Sequence, residues 1–185
     1  LPERLSNDLC SLRPHEPRAC LAFEMRITKD GEMIAHRLVR GLMRSAARLT
    51  YAQVQAARDG RPDDAAAPLQ DPVIAPLYGA WEALAVARRE RGVLELDLPE
   101  RKVVMDAAGG VAAVVARERF DSHRLIEDFM IAANVCAAET LEQRHQPCMY
   151  RVHDQPTAEK LDGLRLFLGT LDLRLAKGQG LRPEM

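Results

Sequence analysis

Aromatic residues, net charge and long apolar runs are all scarce in this sequence of 185 residues. Only 4% of the residues are Phe, Trp or Tyr, so no stacking platform for single-stranded nucleic acid is visible. The 26 Lys and Arg residues nearly balance the 27 Asp and Glu residues, which leaves no overall charge to attract a polyanion or an anionic membrane. No run approaches the ~18 apolar residues of a membrane span, and the start lacks a charged leader followed by an apolar block. These absences predict a cytoplasmic protein.

Several motifs that would announce a chemistry are also missing. The cysteines show neither a C-x-x-C spacing nor histidine pairs at zinc-finger distances, which predicts reduced, partly buried thiols at Cys10, Cys20, Cys136 and Cys148. The chain has no dinucleotide glycine fingerprint, no phosphate-binding G-x-x-x-x-G-K loop and no G-x-S-x-G nucleophile turn. Dinucleotide-dependent, P-loop and serine-hydrolase functions are therefore disfavoured.

What is present is a mixture of strand and helix periodicities without regular βαβ alternation, which predicts an α+β fold of mixed or antiparallel strands with packed helices. The first half of the chain is expected to form a hairpin over 19–43 with its turn at 30–32, a helix over 51–60 capped by Thr50, a surface loop over about 58–72 and a helix over 73–91. Short strands are expected next, at 93–100, 102–106 and 111–119. The chain is then expected to continue with a helix from Asp121 or Ser122 to about 145, a strand at 148–153 and a helix over 157–168.

The long helix carries a polar stripe on an otherwise apolar sequence. At ~100° per residue, His123, Glu127 and Asn134 share one face. The core side of the same helix is predicted to consist of Leu125, Phe129, Ala132 and Cys136. A buried carboxylate needs a partner or a ligand, so Glu127 marks either a functional site or a solvated edge that caps neighbouring backbone groups.

Three other groups have both a chemical and a structural interpretation. His153, which precedes Asp154 at a strand end, can act in acid–base chemistry or simply orient a loop. The Asp63 and Asp64 carboxylates can contribute to a metal site or lie in a solvated loop. Two sets of arginines can bind phosphate or solvate their faces, namely Arg37, Arg40, Arg44 and Arg48, and Arg88, Arg89 and Arg91.

Five strings in fixed order resemble consecutive blocks of a known family. They are "LPERLSNDLCSLRP" (1–14), "RSAARLTYAQV" (44–54), "RGVLELDLPE" (91–100), "HRLIEDFMIAANVCAA" (123–138) and "YRVHDQP" (150–156). Together they are similar to the RNB catalytic domain of the ribonuclease II and ribonuclease R family, and more similar to ribonuclease R. The resemblance covers nearly the whole chain, so residues 1–185 are expected to form the central part of one RNB catalytic domain in a longer protein.

The resemblance implies a processive 3′ to 5′ exoribonuclease. Such enzymes hydrolyse single-stranded RNA to nucleoside 5′-monophosphates with magnesium, while flanking oligonucleotide-binding domains feed the strand to the channel. The implied partner is therefore single-stranded RNA, the implied cofactor is Mg²⁺, and no membrane is involved. Full-length members of the family are expected to be monomeric. The sequence does not indicate the oligomeric state of this chain.

The resemblance carries site roles to only a few residues. Glu127 matches a glutamate that lines the RNA channel near the terminal nucleotide, and Asp128 stands as the second acid of that block. Leu96 falls where some members have a phenylalanine that packs on the last base, so here only apolar packing is expected. Three residues fall in family blocks and are expected to support the channel, namely Asn134, Arg151 and His153.

Two family motifs have no counterpart in this sequence. The aspartate cluster that binds metal stands before the "LSNDLCSL" block in the family, and an arginine motif that contacts the scissile phosphate stands after the last block. Asp63 and Asp64 follow "LCSL" and do not take the aspartate role. The isolated chain is therefore expected to be inactive, because a phosphodiesterase without metal ligands loses its main charge stabilisation. The alternative is a non-catalytic module that binds RNA or protein on a degenerate RNB scaffold.

Overall fold

A computed structural model describes residues 1–93, 100–116, 118–152 and 154–176 of the chain. Helices and antiparallel strands are mixed in it, which confirms the α+β class. The chain divides into two compact units, Leu1–Thr140 and Leu141–Met185. Two of the expected site residues, Leu96 and His153, lie outside the described residues, as does most of the strand expected at 93–100.

The first unit contains the expected hairpin, built from strands β1 (Pro17–Ile27) and β2 (Met33–Arg44). The strands are antiparallel, with Phe23 opposite Leu38. Gly31 forms the turn with a φ of +82°, a left-handed conformation that glycine adopts without steric cost. The same glycine packs against helix α2 (Ala75–Glu90) so closely that a Cβ added to it would overlap the backbone oxygen of Ala83.

Helix α1 (Tyr51–Arg58) starts where the sequence predicts. Thr50 and Gln53 form a capping box in which each side chain accepts a hydrogen bond from the other residue's backbone N–H. The apolar faces of α1 and α2 meet the first half of helix α3 (Asp121–Gln143) in a small core. The core consists of Ala57, Ala66, Ile74, Tyr78, Trp81 and Leu125.

The segment 58–72 is not simply the surface loop that the sequence predicts. Ala66 is fully buried in the core, and Ala67–Leu69 and Gln70–Ile74 form short 3₁₀ and π turns that lead into α2. Asp63 stabilises this path, because its carboxylate accepts hydrogen bonds from the Ala66 N–H (2.9 Å) and the Gln53 Nε2 (2.8 Å). These bonds hold the pKa of Asp63 below its usual value, with the Gln53 bond the larger cause.

A second hairpin joins strands β3 (Arg101–Met105) and β4 (Val111–Ala116) through a turn that contains Gly109 and Gly110. The Asp106 carboxylate closes the turn by accepting hydrogen bonds from the N–H groups of Ala108 (2.9 Å) and Gly110 (2.7 Å). Every residue of β3 and β4 is exposed. This hairpin therefore contributes nothing to the described core.

Asp121 and Ser122, one of which is expected to cap α3, are instead the first two residues of the helix, and both contact α1. The Ser122 hydroxyl donates to the Tyr51 carbonyl at 2.9 Å, and Asp121 forms an ion pair with Arg58 at 2.5 Å. The start of α3 is thereby tied to both ends of α1. The predicted core side of α3 is confirmed, since Leu125 and Cys136 are buried and Phe129 packs against the core.

The second unit contains helix α4 (Ala158–Gly169), which the sequence predicts correctly, with Thr157 as its side-chain cap. The strand expected at 148–153 is wrong over 148–152, where the chain forms no strand. Met149 is 98% exposed and Val152 77% exposed, so among the described residues this stretch lacks the buried face that its β-prone residues need. Among the described residues, no helix is long and apolar enough to cross a membrane.

Gly31→Ala should destabilise the first unit far more than Gly60→Ala. Both glycines have positive φ, but the space around Gly60 is open, so its substitution carries only the backbone cost of about 1 kcal/mol. At Gly31 the clash with Ala83 should add roughly 2 kcal/mol. Denaturant unfolding of the two variants measures this difference, and equal losses would show that the turn does not pack on α2.

Candidate functional site

Helix α3 places two acids side by side in opposite environments. Successive residues of a helix point about 100° apart, so Glu127 and Asp128 cannot both face the core. The Glu127 side chain is 48% exposed, whereas that of Asp128 is 8% exposed. The acid that the family resemblance assigns to the channel is therefore the exposed one.

The Asp128 carboxylate joins α3 to α2 through two contacts. The indole Nε1 of Trp81 donates to Oδ2 at 2.8 Å, and Nη1 of Arg88 lies 3.1 Å from Oδ1. Trp81 and Arg88 are seven residues apart and so occupy one face of α2. These two partners compensate the buried negative charge of Asp128. If either partner were removed, the desolvation of that charge would no longer be offset, and the contact between the helices would be destabilised.

A second link lies two helical turns earlier on α3. The Arg58 guanidinium pairs with Asp121 at 2.5 Å and with Glu82 at 3.3 Å. It also lies over the Tyr78 ring, 4.3 Å from the ring centroid, where the π-electrons attract a cation. Burial raises the pKa of the Tyr78 hydroxyl. The Asp121 and Asp128 contacts together fix the rotation of α3 about its own axis.

Glu127 forms an ion pair with Arg119, whose Nη2 lies 2.6 Å from Oε2. Arg119 immediately precedes Phe120 and the start of α3, and its side chain is 47% exposed. Arg119 also lines an open cavity of about 480 Å³ between α1 and the chain before α3. A paired acid and base at the surface next to a cavity is an arrangement that can bind a polar ligand.

The other members of the predicted polar stripe have different surroundings. The His123 ring stacks on Tyr51, with centroids 4.1 Å apart, and its Nδ1 accepts a hydrogen bond from the Phe120 N–H at 3.1 Å. His123 thus makes structural contacts of the kind expected for a helix start. Asn134 is exposed two turns after Glu127. The three polar residues lie on one face of α3 as predicted. Glu127 and Asn134 are exposed there, whereas His123 is half-buried.

The remaining predicted residues have surroundings of their own. Arg151 is exposed and belongs to the second unit. In the basic clusters, Arg37 pairs with Glu24 at 2.5 Å, and the Arg44 Nε donates to the His15 carbonyl at 3.0 Å. Within the described part of the chain, no three His, Cys, Asp or Glu side chains are grouped so as to hold a metal ion.

The sequence interpretation named Asp128 only as the second acid of its block and missed its buried contact with α2. Asp128 stands three residues after Leu125 and four before Ala132, and this spacing places it on the core side of α3. A second signal was Trp81 on the apolar face of α2, because a buried indole N–H usually has an acceptor. Neither signal alone identifies Trp81 and Asp128 as partners across two helices.

Comparison with known proteins identifies the family. The RNB domain family model matches residues 1–182. Ribonuclease R of Vibrio parahaemolyticus is 37% identical over the whole of this chain and 22% of its own length. Ribonuclease R of Escherichia coli is 35% identical over the whole of this chain and 23% of its own length. The chain belongs to the RNB family, as the sequence blocks predict, and it spans about a quarter of the length of these curated relatives.

Solved structures agree with this assignment. Mycoplasma genitalium RNase R in complex with ribose-methylated single-stranded RNA matches with a TM-score of 0.86 and 25% identity, over all of this chain and 28% of the other. The same protein in complex with double-stranded RNA matches with a TM-score of 0.85 and 25% identity, over 98% of this chain and 32% of the other. The α+β arrangement of this chain is therefore that of an RNB domain.

The two neighbouring acids should respond differently to substitution. Asp128→Ala should lower the free energy of unfolding by about 3 kcal/mol, because it removes the buried acceptor that Arg88 and the Trp81 N–H share. Glu127→Ala should change it by less than about 0.5 kcal/mol, because an exposed ion pair contributes little. Thermal and denaturant unfolding measure both values. A comparable loss from both substitutions would contradict the assignment of Asp128 to the helix contact.

Proposed function

We propose that this chain is part of the catalytic domain of a processive 3′ to 5′ exoribonuclease that hydrolyses single-stranded RNA to nucleoside 5′-monophosphates. The observation that carries the proposal is the RNB match over residues 1–182, together with relatives named ribonuclease R at 35% and 37% identity. The RNA complexes of a similar RNase R support RNA as the substrate class. A cytoplasmic location is part of the same proposal.

Within this domain we propose that Glu127 lines the RNA channel. Its exposure and its pair with Arg119 put charged groups at a surface that α3 holds rigidly through Asp121 and Asp128. A site on a rigid helix keeps its geometry better than a site on a loop. On the family resemblance alone, we propose that Leu96 also lines the channel through apolar packing and that Asn134, Arg151 and His153 support it.

Magnesium enters the proposal only through the family. The described residues do not group three side chains that could ligate a metal ion, so we assign none of them a role in holding Mg²⁺. We propose that the ion is bound by ligands other than these residues in a complete enzyme. The second candidate is a non-catalytic module that binds RNA or protein on the RNB scaffold.

The purified 185-residue chain should not degrade a labelled single-stranded RNA in magnesium buffer. The physical reason is that charge stabilisation by a metal is the main catalytic contribution in such a hydrolysis. Escherichia coli ribonuclease R, assayed in parallel, serves as the positive control. Hydrolysis that co-purifies with the chain through successive columns would contradict this expectation.

In a full-length RNB enzyme that carries this segment, Glu127→Ala should change the RNA cleavage rate by roughly tenfold, the effect of one charge-assisted contact. Product length should change with it, while the melting temperature stays nearly constant. The matched control is Glu139→Ala, because Glu139 lies on the same helix with the same 48% exposed side chain. Loss of melting temperature with unaltered specific activity would return Glu127 to a purely structural role. Absence of RNA cleavage by the unmodified full-length protein would favour the non-catalytic module.

A further inference from the structure

A lone carboxylate is a poor neighbour for RNA. Two negative charges a few ångströms apart repel each other, and a backbone phosphate beside Glu127 would meet that repulsion. The structure resolves the difficulty by placing the Arg119 guanidinium 2.6 Å from the Glu127 carboxylate. The pair is neutral as a unit, and its positive end lies beside the cavity next to α1.

We propose that Arg119 contacts an RNA backbone phosphate at this site and that Glu127 positions its guanidinium. The inference rests on the proposed function, because it assumes that RNA passes Glu127. A guanidinium has five N–H donors in a planar fork, so the bond from Nη2 to Glu127 leaves donors for a phosphate oxygen. The side chain is 47% exposed, which leaves these donors accessible.

The charged residues that line the cavity leave Arg119 able to contact a phosphate. Five charged residues line it, namely Asp59, Arg61, Glu118, Arg119 and Asp121. Two of the three acids have an arginine partner, since Arg61 lies 3.4 Å from Asp59 and Arg58 lies 2.5 Å from Asp121. These partners reduce the repulsion that the two acids would exert on a bound phosphate.

Glu127 is suited to position Arg119 because its own position is fixed. It lies on α3 beside Asp128, which Trp81 and Arg88 hold, whereas Arg119 lies outside any helix or strand, two residues before α3 begins. An arginine in such a segment loses side-chain entropy when it binds a ligand. The ion pair restricts the side chain before RNA arrives, so less entropy is lost on binding.

The test measures RNA binding in a full-length RNB enzyme that carries this segment. A fluorescein-labelled single-stranded oligoadenylate is titrated by anisotropy in EDTA, which prevents hydrolysis, at a series of KCl concentrations. The variants are Arg119→Gln, Arg119→Lys, Glu127→Gln and the double variant Arg119→Gln with Glu127→Gln. Arg26→Gln is the control, because Arg26 is an exposed arginine on β1 outside this cavity. Melting temperatures confirm that all variants are folded.

Arg119→Gln should weaken binding about tenfold and reduce the slope of log K against log salt by about 0.7, the value for one phosphate contact on a single strand. Arg119→Lys should keep the slope and lose part of the affinity, because it retains the charge without the fork. Glu127→Gln should weaken binding less than Arg119→Gln. In the Arg119→Gln background, Glu127→Gln should no longer weaken binding, because Glu127 acts through Arg119 and its unpaired carboxylate there only repels a phosphate.

Three results would overturn the inference. A salt slope for Arg119→Gln equal to that of Arg26→Gln would show that Arg119 contacts no phosphate. An undiminished effect of Glu127→Gln in the Arg119→Gln background would show that Glu127 contacts RNA directly, which leaves the proposed function intact. If neither Glu127→Gln nor Arg119→Gln changes RNA binding, the channel position proposed for Glu127 fails together with the inference.

Discussion

The buried carboxylate of Asp128 is the constraint on which the rest of the site depends. It accepts a hydrogen bond from the Trp81 N–H at 2.8 Å and lies 3.1 Å from the Arg88 guanidinium, so these two contacts favour one rotation of α3 relative to α2. Rotating α3 away from this orientation would leave the Asp128 charge in the core without partners, which costs several kcal/mol. The Arg58 pair with Asp121 adds a second fixed point two turns away.

The exposed position of Glu127 follows from this constraint. With Asp128 turned inward, its neighbour must point about 100° away, toward solvent and Arg119. A residue that binds a ligand benefits from a support that does not move, and here that support is an ordinary buried contact between helices. The two adjacent acids therefore have different roles. Asp128 stabilises the packing of α2 and α3, and Glu127 places a negative charge at the surface.

Much of the fold could be predicted from the sequence because its signals are local. Alternation and the turn at Gly31 indicated β1 and β2, and Thr50 and Thr157 marked the starts of α1 and α4. The errors occurred where the outcome depends on residues distant in sequence. The β-prone stretch 148–152 forms no strand, and Ala66, in a segment without periodicity, is buried beneath α1 and α2. The role of Asp128 likewise depends on Trp81, 47 residues away along the chain.

If Asp128 holds α3 so that the Glu127 and Arg119 pair faces RNA, a structure of the complex should show Arg119 in contact with a phosphate. The decisive measurement is a structure of a full-length RNB enzyme carrying this segment with single-stranded RNA bound. We expect a guanidinium nitrogen of Arg119 at about 2.7–2.9 Å from a phosphate oxygen, with the Trp81 bond to Asp128 intact. RNA that runs along another face of α3, leaving Arg119 in solvent, would contradict this role.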